Sequence, residues 1–161
     1  MKALRRWRLR RRCLARVRDL SLPVPFDVRA LCHEVAARRG RPLRLMPMTG
    51  LTDVCGLWIS TDAMDLICYE SDTTRPHQEH IILHELSHVL CEHYPVELPT
   101  RTLLPDLDPA MVRTVLGRAG YSTDEEREAE TLASLIRQHV TTRARGTLHT
   151  RLHDALDDDR G

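Results

Sequence analysis

The residues with the clearest chemical potential lie in the segment His84-Glu85-Leu86-Ser87-His88. Histidines four positions apart lie on one face of a helix, so both imidazoles can reach a single metal ion. Zinc suits such a pair, because neutral imidazoles bind it well and tetrahedral geometry leaves a position for water. Glu85, next to the first histidine, is placed to take a proton from that water. The spacing therefore predicts a zinc site with His84 and His88 as ligands and Glu85 as the catalytic base.

A helix must carry this pair, and its composition indicates that the helix is buried. The helical pattern begins at Pro76, which suits a first turn, and continues to about Glu92. Apolar side chains surround it almost completely: Ile81, Ile82, Leu83, Leu86, Val89 and Leu90. A helix that is apolar all round is buried, and buried histidines need partners. The pattern thus favours a metal site over a pair of surface histidines.

A third ligand is required, and the residues after His88 do not supply it. The metzincin pattern would need Gly at position 91 and His at position 94, where this chain has Cys91 and Tyr94. His93 lies five residues beyond His88, about 140° around the helix, too far to share the metal. We therefore expect His93 to be a surface residue near the end of the helix.

The last strong helical pattern supplies the carboxylates. Glu125 and Glu126 both fall within about 60° of the centre of its apolar stripe. Either one could instead close a capping box, Glu125 with Ser122 or Glu126 with Thr123. If Ser122 is the cap, Glu126 is free, and we favour Glu126 as the third metal ligand. Glu130, one turn on, could hydrogen-bond a ligand histidine from the second shell.

The other elements predict an α+β fold. Asp27 is a good N-cap for a helix that would end at Gly40. Residues 42–70 contain three short runs rich in β-forming residues, and Thr61-Asp62-Ala63 predicts a hairpin between the last two. We predict a further helix over Pro109–Arg118 and a last one from near residue 122 to about 140. The expected architecture is a compact zincin-like domain with helices packed on a small three-stranded sheet and an active-site helix carrying HExxH.

Length and composition describe one soluble domain. The chain has 161 residues, of which 42% are hydrophobic and 29% charged, as in ordinary globular proteins. Its apolar runs are far shorter than the roughly 20 residues of a membrane span. The five cysteines are odd in number and contain no CxxC pair, which argues against a disulfide framework and against a Cys-rich zinc site. We expect a cytoplasmic protein with reduced thiols.

The first 18 residues differ sharply from the rest of the chain. They contain nine basic residues and no acidic ones, whereas the remainder carries 15 basic and 23 acidic residues. No apolar stretch follows them, so a secretory signal is not indicated. We expect residues 1–20 to form a solvated, partly disordered basic arm, and residues 21–161 to form the domain. Contact of this arm with nucleic acid, anionic lipid or an acidic partner is the alternative.

Three features of the chain resemble one known family. Residues 73–83 lead into the HELSH segment and His93, like an Arg-rich lead into HELxHxxxxH. Two β segments, at 56–59 and 65–69, precede it, and Glu126–Ala133 is similar to an ExEAxxFA block. Together these segments resemble the ImmA/IrrE family of metallopeptidases over roughly residues 26–140. The family's Phe is Leu132 here, and its usual Asn or Asp is Glu130.

The resemblance implies a gluzincin-type site, with His84, His88 and Glu126 as zinc ligands and Glu85 as base. It also implies an endopeptidase in gene regulation that cuts a helix-turn-helix repressor, often encoded on a mobile genetic element. The alternative is a zinc-stabilised protein that grips a transcription factor or toxin partner without cutting it. A peptidase also needs an oxyanion stabiliser, and four residues are candidates: Tyr94, Tyr121, His139 and His149.

Overall fold

A computed structural model of the chain describes residues 2–51, 55–61, 63–93, 112–117 and 121–158, with side chains described for 3–51, 55–61, 63–93 and 121–148. Four helices and one small mixed sheet make up these residues, which confirms the α+β class. In chain order they are α1 (Lys2–Asp19), α2 (Val28–Arg39), β1 (Leu43–Met48), β2 (Gly56–Thr61), β3 (Asp65–Glu70), α3 (Arg75–Cys91), β4 (Val112–Gly117) and α4 (Thr123–Asp158).

Helix α2 begins and ends at the residues that the sequence predicts. The Asp27 carboxylate accepts hydrogen bonds from the backbone N–H groups of Arg29, at 2.7 Å, and Ala30, at 2.9 Å. Gly40 closes the helix in the left-handed region, with φ of 62°, where glycine pays no steric penalty. These two caps fix how the chain enters β1, the first strand of the sheet.

The described strands form one mixed sheet in the order β1-β3-β2-β4. β2 and β3 are the predicted antiparallel hairpin, while β1 lies parallel to β3. The helix predicted over Pro109–Arg118 is wrong, because Val112–Gly117 is a strand that pairs antiparallel with β2. Its β-branched residues fit a pleated surface, and the edge of β2 offers the hydrogen bonds that a local helical pattern could not anticipate. The sheet thus has a fourth strand beside the three predicted ones.

The main core lies between the sheet and the helices. Alternate residues of β2 and β3 point to opposite faces of the sheet. Trp58, Ile67 and Tyr69 join the core that includes α2, α3 and α4. Their neighbours form a second apolar cluster, made of Leu57, Ile59, Leu66 and Cys68. The sheet therefore supports α3 from one face, and α3 carries the HExxH segment.

The basic segment at the start of the chain is a helix, and the expectation of a partly disordered arm is wrong. Helix α1 buries Cys13 and Val17 completely or nearly so in the main core. The Cys13 thiol lies 3.8 Å from the backbone carbonyl oxygen of Glu128 in α4. Sparse apolar residues at positions 9, 13 and 17 lie on one face of α1, and the surface of α4 is what buries that face.

Helix α4 is also longer than its apolar stripe predicts. The stripe ends near Val140, but the helix continues to Asp158. Residues 141–148 are exposed. They therefore lack the apolar stripe of a buried helix face, although their backbone is still helical. None of the helices in the described part of the chain is long and apolar enough to span a membrane.

Candidate metal centre

Two histidines of α3 and one glutamate of α4 form a cluster that could hold a metal ion. One donor atom from each of His84, His88 and Glu126 lies within 4.8 Å of the others. Packing of α3 against α4 brings the carboxylate opposite the two imidazoles. The structure therefore places together the three residues that the sequence predicts as ligands.

The separations between these donor atoms match those of tetrahedral zinc ligands. The Nε2 atoms of His84 and His88 are 3.2 Å apart. Oε2 of Glu126 lies 3.4 Å from Nε2 of His84, and Oε1 lies 3.7 Å from Nε2 of His88. Ligands held about 2.0–2.1 Å from a tetrahedral ion are roughly 3.3–3.4 Å from one another. The cluster can accept such an ion without large movement of the side chains.

The protonation states of the cluster also suit a cation. Burial, together with the neighbouring His84 and His93, lowers the pKa of His88 to about 2. His88 is therefore neutral near pH 7, with a lone pair available for a metal. Oε1 of Glu126 is buried and accepts no hydrogen bond from any described residue. A buried carboxylate oxygen without a donor is costly, and a cation between Glu126 and the imidazoles would satisfy it.

The start of α4 decides which glutamate is available. Oε2 of Glu125 accepts a hydrogen bond from the backbone N–H of Ser122 at 2.8 Å. The Ser122 hydroxyl in turn accepts one from the backbone N–H of Glu125 at 3.3 Å. This is the capping box with Ser122 as N-cap. The carboxylate of Glu125 therefore caps the helix, and that of Glu126 faces the histidines.

Glu130 supports His84 on the side away from the cluster. Its Oε2 atom lies 3.4 Å from Nδ1 of His84 and 3.8 Å from Nε2 of His80. A carboxylate at Nδ1 fixes the proton on that nitrogen, so that Nε2 keeps its lone pair for the metal. The sequence proposes Glu130 as a partner of a ligand histidine, and the structure places its carboxylate beside His84.

His88 has a corresponding partner that the sequence analysis placed wrongly. His93 is only 6% exposed, and its Nδ1 lies 3.0 Å from Nδ1 of His88. The prediction of a surface residue assumed that α3 continues through position 93. Instead α3 ends at Cys91, and Glu92 adopts a left-handed conformation with φ of 55°. The chain therefore turns back after Glu92 and places His93 against His88. The third histidine of the segment HELSHVLCEH is the sequence feature that marks this position.

A glutamate of α4 holds His93 and is itself held by α1. Oε2 of Glu128 lies 3.8 Å from Nε2 of His93. Oε1 of Glu128 accepts a hydrogen bond from Arg16 at 2.9 Å, and Oε2 accepts one from Arg12 at 3.3 Å. Two arginines of α1 thus orient the carboxylate behind His93 and, through it, the imidazole of His88.

Glu85 is buried on α3, between the histidines in sequence but against the sheet in space. It is 3% exposed. A Cβ atom at Gly56 would lie 2.8 Å from Oε1 of Glu85 and 2.6 Å from Cγ2 of Ile81. Only glycine leaves room at the start of β2 for the Glu85 carboxylate. This close approach of strand to helix was not visible in the sequence pattern.

Tyr121 is the oxyanion candidate that the structure brings to the cluster. Its ring stacks on that of His88, with centroids 3.5 Å apart and planes 15° from parallel. Its hydroxyl is buried and has no hydrogen-bond partner among the described residues. Burial raises the pKa of Tyr121, and the carboxylates of Glu85 and Glu126 raise it further, so the hydroxyl stays protonated as a donor.

The other three oxyanion candidates are not placed at the cluster. His139 is exposed on α4, about 20 Å along the helix from Glu126 at 1.5 Å per residue. Tyr94 lies outside the described residues, and the side chain of His149 lies outside those described. Of the four candidates, Tyr121 is therefore the one that the described residues place against the histidines.

Comparison of the chain with known proteins adds no constraint. No family model, no curated protein and no solved structure matches it. The function must therefore be argued from the cluster and its surroundings.

Proposed function

We propose that this protein is a zinc-dependent endopeptidase that hydrolyses a peptide bond in a protein partner. The observation that carries the proposal is the cluster of His84, His88 and Glu126, with Glu85 on the same helix as both histidines. Two imidazoles, one carboxylate and a neighbouring glutamate are the parts that a gluzincin site requires. The resemblance of residues 26–140 to the ImmA/IrrE family supports the same assignment.

Each residue of the site would have its own role in the proposed hydrolysis. His84, His88 and Glu126 would hold the zinc, which as a Lewis acid lowers the pKa of a bound water and polarises a carbonyl oxygen. Glu85 would accept a proton from the attacking water and later deliver it to the leaving amine. The Tyr121 hydroxyl would donate a hydrogen bond to the oxygen on which negative charge develops.

The partner is proposed from the same resemblance. A helix-turn-helix repressor is the expected substrate, so that cleavage would relieve repression in the cytoplasm. The free thiols support a reducing compartment, because none of the five cysteines, all of them in the described residues, forms a disulfide. The gene next to the one that encodes this chain, when it encodes such a repressor, supplies the substrate to test.

The decisive experiment separates cutting from metal binding. In Glu85→Gln the carboxylate that accepts the proton is lost, while the three ligands stay. We expect zinc content equal to that of the wild type, and at least a hundredfold loss of cleavage, the lower end for a general base. Glu79→Gln is the matched control, because Glu79 is half-exposed on the same helix and should cleave normally.

The outcome also distinguishes the alternative function. Cleavage by Glu85→Gln at the wild-type rate would overturn the role of Glu85. A wild-type protein that binds zinc and retains an intact partner through long incubation would favour a zinc-stabilised binding protein instead. Mass spectrometry of the partner and zinc analysis of both proteins provide the measurements.

A further inference from the structure

We propose that the outer face of α1 binds the phosphate backbone of a nucleic acid. We define the outer face as Arg8, Arg11 and Arg18 with Leu4 and Trp7. These five residues lie within about 100° of one another at 100° per residue, on the side of α1 turned away from the buried Cys13 and Val17. All five are exposed, Leu4 and Trp7 each by 53%.

The positive charge of this face is not used by the fold. Among the described side chains of α1, only Arg12 and Arg16 form ion pairs, both with Glu128. Among the residues that the structure describes, no carboxylate pairs with Arg8, Arg11 or Arg18. α1 also has no acidic residue before Asp19, its last residue. A row of unpaired cations along one helix produces a strong local potential that attracts a polyanion.

The residue types favour phosphate over other anions. The basic residues of the segment are eight arginines and one lysine. The guanidinium fork binds phosphate oxygens in a bidentate manner and is weakly hydrated. Trp7 adds an exposed indole, and Arg11 lies over it at 4.8 Å from the ring centroid. An exposed aromatic ring beside arginines can stack on an unpaired base.

The packing of α1 argues against a membrane surface. A helix that lies in a bilayer interface needs a free apolar face. The apolar face of α1 is instead covered by the rest of the protein, because Cys13 and Val17 are buried in the main core and Leu9 packs against it. The two exposed apolar side chains, Leu4 and Trp7, lie among the arginines instead of forming a separate face.

A groove next to the outer face extends the surface toward the metal centre. It has a volume of about 380 Å³ and lies between α1 and α4. Arg6, Trp7 and Arg10 line it from α1, while Glu130 and Ser134 line it from α4. A nucleic acid held on α1 would therefore lie beside the side of the protein that carries Glu130 and His84. This placement would suit an enzyme whose partner is bound to DNA.

The test is binding of a labelled DNA duplex of about 20 base pairs, longer than the roughly 27 Å of α1. The variant carries Arg8→Gln, Arg11→Gln and Arg18→Gln and leaves Arg12 and Arg16 in place to hold Glu128. Each phosphate contact contributes about 0.9 to the slope of log affinity against log salt. We expect this slope to fall by about 2 to 3 and the affinity at low salt to fall at least tenfold.

The matched control removes the same charge elsewhere. Arg44, Arg143 and Arg145 are exposed and lie outside α1, and their triple replacement by Gln should change the slope by less than about 1. An equal loss in the control would overturn the proposal, because net charge alone would then explain binding. So would binding to anionic vesicles of phosphatidylglycerol, or to polyglutamate, in preference to DNA. Thermal unfolding followed by circular dichroism checks that all variants fold.

Two further variants test parts of the proposal. Trp7→Ala should weaken binding of a single strand more than binding of the duplex, since only unpaired bases can stack on the ring. Equal effects on both would contradict a stacking role for Trp7.

Glu85→Gln should bind DNA as the wild type does, so failure of the peptidase proposal would not affect the proposal of nucleic-acid binding.

Discussion

The two candidate ligand imidazoles, His84 and His88, each have a partner at the ring nitrogen that faces away from Glu126. His84 has the carboxylate of Glu130 at Nδ1, and His88 has the imidazole of His93 there. A metal bound at Nε2 of His88 would leave the proton of that ring on Nδ1, so His93 would accept it at Nδ1 and keep its own proton on Nε2, toward Glu128. The partner of His84 is a carboxylate and that of His88 is an imidazole, so the two contacts can be tested by separate substitutions.

His93→Phe should weaken zinc binding by about 10- to 100-fold, the usual effect of losing the partner of a ligand histidine. The ring of Phe fills the space, but it cannot accept the proton of His88 Nδ1. Competition with a chromogenic chelator measures the zinc affinity. His77→Phe is the control, since His77 is exposed on the same helix. Unchanged affinity in His93→Phe would show that His88 does not depend on this partner.

The site depends on how three elements meet. Helix α3 supplies both histidines and Glu85, helix α4 supplies Glu126, and the start of β2 lies against Glu85. At Gly56 the strand approaches the helix so closely that no Cβ atom fits between them. Because the neighbouring atoms belong to a packed core, they have little room to move.

Gly56→Ala should therefore destabilise the protein by about 1–3 kcal/mol, the typical cost of overpacking. The new methyl group would meet Ile81 and Glu85 at distances well inside van der Waals contact. Urea unfolding measures the change in free energy. Gly146→Ala is the control, because a Cβ there meets nothing within 4 Å, and a helical Gly→Ala replacement should be neutral or stabilising. Equal stability of the two variants would contradict the tight packing at Gly56.

At the scale of the whole molecule, three fully or partly buried histidines link folding to pH. Burial lowers the pKa values of His80, His88 and His93 below the usual value for histidine. An unfolded chain would bind protons at these imidazoles near pH 6.5, while the folded protein resists them. Their contribution to stability is therefore present above about pH 6.5 and is lost as the pH falls.

The metal-free protein should lose stability between about pH 6.5 and pH 5, above the range in which most carboxyl groups titrate. His88 alone contributes a slope approaching 1.4 kcal/mol per pH unit at the lower end of this range. Urea unfolding at several pH values gives this slope, and His88→Gln should reduce it. Zinc should raise the melting temperature, and more so at higher pH, because ligands must be deprotonated to bind. A slope that His88→Gln leaves unchanged would contradict this account.

The sequence by itself determined the features that depend on spacing within one element. Two histidines four residues apart share a helix face wherever that helix packs. The sequence offered two capping boxes of residues three apart, at Ser122 and at Thr123, and the structure forms the one at Ser122, which leaves Glu126 facing the histidines. The hairpin of β2 and β3 is likewise local. In each case the interacting residues are close along the chain, so their geometry is fixed by the backbone of one element.

Only the tertiary structure decided the contacts between elements. The turn at Glu92 brings His93 back to His88, and the packing of α1 on α4 places Arg12 and Arg16 on Glu128. β4 is a strand because the edge of β2 pairs with it. These outcomes depend on which surfaces meet, and burial and hydrogen bonding with distant residues can outweigh local propensity. The three candidate metal ligands and Glu130 were therefore readable from the sequence, whereas His93 and the contacts that hold it were not.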